Sequence, residues 1–581
     1  MQKSPKLSHF KGKVFLAFFF ISMLAIAGHA NSATSDTWDE GIRFNNVKGY
    51  TLNERGELVE FSQMLIKDDL IQAIGHDLKV GDKAQQKDMK NAVMLPGIID
   101  AHGHILGLGE NLLLVDLRDS SSEEDAVAKI KAHVSGISST TESPPSEKNN
   151  ENQWIIGRGW NQVLWPNKQF PSKASLDKAF PDTPVMLSRV DGHADWVNSK
   201  ALEIAGITGN TPSPTGGEIV KDENGEPTGL LIDNASYLVA KHVPQASKEN
   251  LLQQLNAASD HLLSLGITSA HDAGISETVR DLFIALAEQE TLRFRIYAML
   301  AATDPNIESM LQDGHYADKN GFLSIRSVKA YGDGALGSRG AALLAPYSDD
   351  PDNMGLLVTP EERLPMLFNT VIGANFQLNF HAIGDRANRL ALEQFARSFK
   401  NFPENKERHR IEHAQVVAVE DIPLFKEYGV IPSMQPTHAT SDMNMAEDRI
   451  GKTRLKGAYA WKTFLEQGSP IAFGSDFPVE LANPFHGLHA AVTRQNADNE
   501  PEEGWIPEES VSVIEAFRGF TIDAAYAGFQ ENLIGSLEPG KKADFIVIDR
   551  DIFAIEPKEI RDTKVIQTWV NGNMMYQDEA H

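Results

Sequence analysis

Five segments of this chain each end an apolar run in a side chain that suits a cation. The first is Leu95-Pro-Gly-Ile-Ile-Asp-Ala-His102-Gly-His104, with two histidines at positions i and i+2. A strand alternates its side chains, so this spacing sends both imidazoles to one face. Gly103 between them leaves room for a metal to approach the backbone. The other four are Ser327-Val-Lys329-Ala-Tyr, Gln377-Leu-Asn-Phe-His381, Arg410-Ile-Glu-His413 and Ile471-Ala-Phe-Gly-Ser-Asp476. Imidazole and carboxylate are good donors for zinc and its neighbours. A lone His-x-His is weak, because incidental histidines produce it often. Recurrence at four later strand ends gives the pair its weight. Gathered in one place, such donors would hold divalent cations able to activate water.

Something must gather them. The middle of the chain alternates apolar strand runs with helix-period segments such as Glu249 to Leu265 and Leu390 to Phe399. The strand runs include Val185-Met-Leu-Ser, Ile267-Thr-Ser-Ala, Ile325 to Ala330, Gln377 to Phe380 and Ile471 to Gly474. Repeated βα units predict an α/β fold, a (β/α)₈ TIM barrel over residues 96–510 with loop insertions. The C-terminal ends of its strands would form the active site. Residues 40–95 alternate short apolar runs with turn signals, and Ala543 to Ile548 and Val565 to Gly572 do the same. Those ends predict a small composite β-sandwich, with residues 511–581 adding the final barrel helix and its C-terminal part. The stretch from Ser138 to Asn152, rich in Ser, Thr, Pro, Glu and Asn, reads as a loop.

Residues 1–30 stand apart. Lys3, Lys6, Lys11 and Lys13 precede an apolar run from Val14 to Ala27, with small residues at Gly28 and Ala30. Basic, apolar, then small is the order of a secretory signal peptide, and the run is short for a bilayer span. Export across an inner membrane, with the bacterial periplasm as destination, is the expectation. No stable membrane insertion is expected after cleavage. Removing those residues takes four lysines and no acid, so the net charge moves from −26 to −30. A surface this acidic repels phosphate backbones, which argues against nucleic acid as a partner. The chain has no cysteine, so disulfides and thiolate metal sites are excluded. A small-molecule substrate is the expected partner, and a homodimer is left open.

The order His-x-His, Lys, His, His, Asp resembles the amidohydrolase superfamily of binuclear metal hydrolases. Further motifs narrow this to the amidohydrolase-3 branch, which includes N-substituted formamide deformylase-like enzymes. They are Lys329-Ala-Tyr-Gly-Asp-Gly-Ala-Leu-Gly-Ser-Arg339, His381-Ala-Ile-Gly-Asp-Arg-Ala387, Met434-Gln-Pro-Thr-His438, Asp191-Gly-His-Ala-Asp-Trp-Val-Asn198 and Gly535-Ser-Leu-Glu-Pro-Gly-Lys-Lys-Ala-Asp-Phe-Ile-Val547. The resemblance runs from about residue 42 to 578.

It implies that His102, His104 and Asp476 hold a more buried metal, and that His381 and His413 hold a more exposed one. The two divalent ions would be zinc, bridged by a carboxylated Lys329. An unmodified Lys329 would leave a single metal on His102, His104 and Asp476. The implied reaction is hydrolysis of an amide or formamide C–N bond of a small nonpeptide molecule, with Asp476 as the proton carrier. A deaminase, a cyclic-amide hydrolase on the same centre and a noncatalytic periplasmic binding protein remain alternatives. Substrate contacts are expected from His193, His438, Arg339 and Trp160. For His193 and His438, structural loop hydrogen bonds weigh equally. For Arg339 and Arg386 an internal ion pair with Asp333 or Asp385 is favoured over a substrate carboxylate. Packing alone accounts for Trp160 and Trp165 equally well.

Overall fold

The computed structural model describes residues 40–140 and 154–579, except residues 80, 82, 119, 190–193, 215–216, 245 and 406. The expected signal peptide (residues 1–30), His193 and the 141–152 part of the expected loop lie outside the described residues. Residues 138–140, expected in that loop, finish the helix Glu123–Thr140. Among the described residues, no helix is long and apolar enough to cross a membrane.

Eight parallel strands make the barrel. They are β1 (Ile98–Gly103), β2 (Ile267–Ile275), β3 (Arg295–Ala301), β4 (Leu323–Tyr331), β5 (Gln377–Ala382), β6 (Arg410–His413), β7 (Ile431–Met434) and β8 (Ala472–Phe473). Each pairs with the next in sequence. A bridge between Gly103 and Phe477 brings the end of β8 back to β1. There the Asp476 N–H donates to the His102 carbonyl and the His104 N–H to the Phe477 carbonyl, both at 2.7 Å. Every residue of β1, β6 and β7 is buried, as strands covered on both faces require. The outer helices follow from local sequence in the same way. Ser247 and Asn250 form a capping box for Lys248–Ser264, which lays Leu255, Leu262 and Leu263 on the barrel.

Strands from both ends of the chain meet in one sheet of eight. Strand Gln85–Pro96 lies parallel to Ile42–Leu52 and antiparallel to Phe545–Ile548. The expected two-part composite domain is thus hydrogen-bonded as a single sheet. It closes over its own core of Phe44, Met64, Met94, Phe545 and Trp569, with the last two rings stacked 5.1 Å apart. A buried ion pair ties it to the barrel, Arg295 of β3 donating to the Asp544 carboxylate at 2.6 and 2.8 Å.

A third sheet corrects the sequence reading. Val185-Met-Leu-Ser belongs to strand Val185–Arg189 of a six-stranded sheet inserted between β1 and β2, not to the barrel. Its strands run from Val115–Asp116 to Pro227–Asp233. A short buried strand looks the same in either sheet, because periodicity reports burial and not the identity of the neighbour. This insert also settles Trp160. Its ring is fully buried, bonds the Leu187 carbonyl through Nε1 at 2.7 Å and packs among Trp165, Trp196 and Phe170. Trp160 and Trp165 are therefore core residues of the insert and not a wall for substrate.

Candidate active site

The C-terminal ends of β1, β4, β5, β6 and the turn after β8 deliver the expected donors to one place. His102 stands at the end of β1 with its Nε2 3.6 Å from Asp476 Oδ1. His104 begins the helix Ile105–Leu113, with its Nε2 3.3 Å from the same oxygen. Lys329 Nζ is 3.4 Å from His102 Nε2 and 4.7 Å from the centre of the Tyr331 ring. The His413 ring centre lies 4.9 Å from that of His102 and 4.5 Å from that of His381. His438, two residues into the helix Pro436–Asp442, brings its Nε2 to 3.7 Å from Asp476 Oδ2.

Strict strand alternation would not assemble this set. In β6 the side chains of Arg410 and Glu412 share a face, so His413 should point the other way. His413 instead has φ of 75°, and Asp476 after β8 has φ of 62°. Residues other than glycine rarely adopt this left-handed region, and strained backbone of this kind concentrates at functional sites.

Beneath the donors lies a buried polar layer whose roles the sequence reading did not assign. His102 Nδ1 meets Glu412 Oε2 at 2.5 Å, and Arg410 Nε sits 2.8 Å from the other oxygen of Glu412. Arg410 also donates to the Ala101 carbonyl and to Ser433 Oγ, and its Nη1 stands 2.9 Å from His271 Nδ1. All of these side chains are buried. His413 Nδ1 is matched by Gln435 Oε1 at 2.8 Å. Engaging Nδ1 in this way fixes the tautomer and leaves Nε2 as the donor, the usual second-layer arrangement of metal-ligating histidines. The sequence signal was available: Arg410 and Glu412, opposite charges two apart in a buried strand, can only pair inside the barrel.

Asp100, also unassigned, joins the first and last strands. Its carboxylate accepts from the His102 N–H at 3.1 Å and from Ser475 Oγ at 2.7 Å. Burial pushes the Asp100 carboxyl up to about 7. Gly474 permits the close approach: a Cβ there would stand 2.5 Å from His102 N and 2.7 Å from Asp100 Oδ1. Gly474→Ala is therefore expected to cost about 1–3 kcal/mol of stability. Calorimetric unfolding against the wild type would show it, and an unchanged transition would contradict the tight junction.

Burial sets the protonation of the site. It lowers His102 to about 4 and His381 to about 3, and Lys329 acts in the same direction on both. Burial also holds His413 well below the usual imidazole value. All three rings are neutral, with a lone pair for a cation. Lys329 is lowered by burial, although Glu412 and Asp476 pull it up. Burial pushes the Asp476 carboxyl up, but His104, His102, His413 and His438 outweigh it and hold it well below the carboxylate range. Among the described residues, Asp476 Oδ1, His381 Nε2 and His438 Nε2 are buried with no hydrogen-bond partner. Leaving such atoms unpaired is costly, and a divalent cation would relieve that cost. The residues present fit the expected metal.

Other expected contacts are not brought in. Arg339 binds Asp349 at 2.9 and 3.2 Å, and Arg386 binds Glu361 at 3.1 Å. The ion pairs expected for them exist, with other partners than Asp333 or Asp385. Asp333 accepts instead from the backbone N–H groups of Ala342, Ile383 and Gly384, and Asp385 from that of Leu344. Arg339 is thus engaged internally and is not presented to a substrate carboxylate.

Known proteins agree with this architecture. A family model described as the amidohydrolase family matches residues 86–576. A putative amidohydrolase of Bacillus subtilis, YtcJ, is 33% identical over 91% of this chain and 98% of its own. An N-substituted formamide deformylase of Arthrobacter pascens is 24% identical over 85% of this chain and 90% of its own. Among solved structures, an uncharacterized metal-dependent hydrolase from Pyrococcus horikoshii superposes with a TM-score of 0.71 at 26% identity, covering 89% of this chain and 98% of that one. With its barrel, its terminal sheet and a match along most of its length, this chain belongs to the amidohydrolase family, in the amidohydrolase-3 branch.

Proposed function

We propose that this protein is a metal-dependent hydrolase that cleaves a C–N bond, amide or formamide, in a small nonpeptide substrate. The observation that carries the reading is the convergence of His102, His104 and His438 on the Asp476 carboxylate at the barrel mouth, at 3.3–3.7 Å. The likeness to an N-substituted formamide deformylase supports the choice of bond. His102, His104 and Asp476 would hold one divalent cation, zinc foremost, and His413 belongs to a second position. Bound there, divalent cations supply Lewis acidity, which lowers the pKa of water and polarises a carbonyl.

The chain's own residues supply the rest. Asp476, ionised at neutral pH, accepts a proton from the attacking water as oxygen adds to the carbonyl carbon. The same carboxyl then gives that proton to the substrate nitrogen as the C–N bond breaks, because an amine leaves poorly unless protonated. Glu412 and Gln435 keep the His102 and His413 rings oriented throughout. Burial favours the free amine of Lys329. That is the form whose nitrogen adds carbon dioxide, losing one proton, to give a carbamate.

The test is metal analysis of the full chain with a panel of amides, formamides and lactams. Zinc or manganese should support turnover and a chelator should abolish it. Protein that purifies without metal and gains no activity with either ion would overturn the reading.

A further inference from the structure

His104 begins a helix and offers its ring to a cation, and the two demands compete. The residue before a helix commonly turns its own side chain back to accept from the first free N–H groups. His104 holds that position before Ile105–Leu113, with extended backbone at φ −126° and ψ 90°. Its side chain makes no capping bond, and the first turn of the helix contains no acidic residue. The ring is turned to Asp476 instead, with Nε2 3.3 Å from Oδ1.

The missing acceptor comes from the neighbouring strand. Asp272 of β2, opposite Gly103 in the register with β1, accepts from the Ile105 N–H through Oδ1 at 3.1 Å. We infer that Asp272 caps this helix from across the strand pair and is the positioning residue of His104. The inference rests on the metal-dependent reading above and leaves its ligand set unchanged.

Three observations support it. Asp272 is buried, and a carboxylate held there needs a bond to repay its lost hydration. Among the described residues, the Ile105 N–H supplies it. Burial pushes the Asp272 carboxyl up to about 6, while that N–H and His104 pull the other way. Its charge at neutral pH also suits the positive end of the helix. Next, His102 and His413 have their Nδ1 atoms engaged by Glu412 and Gln435, at 2.5 and 2.8 Å. Among the described residues no hydrogen bond reaches the Nδ1 of His104, so its ring is placed by its backbone. Finally, that backbone is tied on both sides. The His104 N–H donates to the Phe477 carbonyl after β8, and the next N–H donates to Asp272 of β2. Without Asp272 the second tie is gone, and the start of the helix is free to shift the ring.

The experiment titrates cobalt(II) into the full chain in competition with a chromophoric chelator, for wild type, Asp272→Asn and Asp272→Ala. The visible spectrum of the bound ion and the thermal unfolding of each metal-free protein are recorded alongside. Asparagine keeps an acceptor oxygen and caps as well as aspartate, so Asp272→Asn should bind cobalt within about 3-fold of wild type. Asp272→Ala should bind it about 10–100-fold more weakly, with a changed spectrum. A purely structural role predicts lower unfolding temperatures with wild-type cobalt affinity and spectrum, and that result overturns the inference. Asp272→Asn as weak as Asp272→Ala overturns the capping account. A further measurement needs neither variant nor metal. Hydrogen exchange resolved to the Ile105 amide of the metal-free wild type should be slow, and exchange as fast as that of an unbonded amide overturns the cap. Wild type that binds no cobalt sinks the metal-dependent reading itself, which keeps the two failures distinct.

Discussion

Asp476→Asn should lower kcat on any amide the wild type hydrolyses by about 10³-fold, within the range lost when a positioned proton carrier is removed. Two features make this substitution clean. Asparagine fills the same volume, and it tolerates the left-handed backbone required by the φ of 62° at this position. A fall in rate is then assignable to chemistry and not to a distorted turn. The carboxylate is surrounded by four histidines, His102, His104, His413 and His438. Its replacement by an amide removes the negative charge shared by two clusters that could hold a metal ion, His102 with His104 and His413 with His438. Retained metal should therefore fall together with kcat. Steady-state kinetics with metal content measured on the same samples gives the check. Equal turnover by wild type and variant would defeat the proposed mechanism.

The second large effect is on stability. Arg410→Met should destabilise the protein by about 3–5 kcal/mol, the usual cost of leaving a buried charge without its partner. Burial alone would push the Glu412 carboxyl up, yet Arg410 and His102 hold it far below the ordinary carboxylate range. Without the guanidinium, the buried Glu412 charge keeps only the His102 ring and the influence of Lys329, and the Ala101 carbonyl and Ser433 Oγ lose their donor as well. Methionine keeps most of the volume, so a cavity contributes little. The double variant Arg410→Met/Glu412→Gln should recover part of the loss, since the uncompensated charge is gone. Thermal unfolding of the three proteins tests this. A single variant as stable as wild type, or a double variant worse than the single, would contradict the account.

The parts of the molecule differ in how plainly the sequence announced them. His102, His104, Lys329, His381, His413 and Asp476 were readable because each ends an apolar run, and a parallel barrel presents strand ends on one rim. Trp160 misled because a tryptophan in a Gly-rich strand reads alike whether it lines a pocket or fills a core. Only the packing of Trp165, Trp196 and Phe170 around it decides. Arg339 showed its charge, and the expected ion pair formed, but its partner Asp349 lies in a loop whose path no periodicity encodes. The place of His438 beside Asp476 was hidden for a related reason. It depends on where the helix Pro436–Asp442 begins and on the left-handed turn at Asp476, and both are features of chain direction. The six-stranded insert was misread for want of any local mark that a buried strand belongs to a different sheet.

The sheet shared by both ends of the chain carries a consequence for synthesis. Strand Gln85–Pro96 leads into β1, with only Gly97 between them, and its antiparallel neighbour is Phe545–Ile548. About 450 residues separate the paired strands in sequence, and ribosomes add roughly 5–20 residues per second. The N-terminal strands therefore wait on the order of 20–90 s for their neighbour, with Met94 and Phe44 uncovered and one edge unpaired. An open apolar edge of that kind is a template for aggregation. The nascent chain thus has a vulnerable interval that ends only when its last strands emerge, and a chain cut short before residue 545 never leaves it.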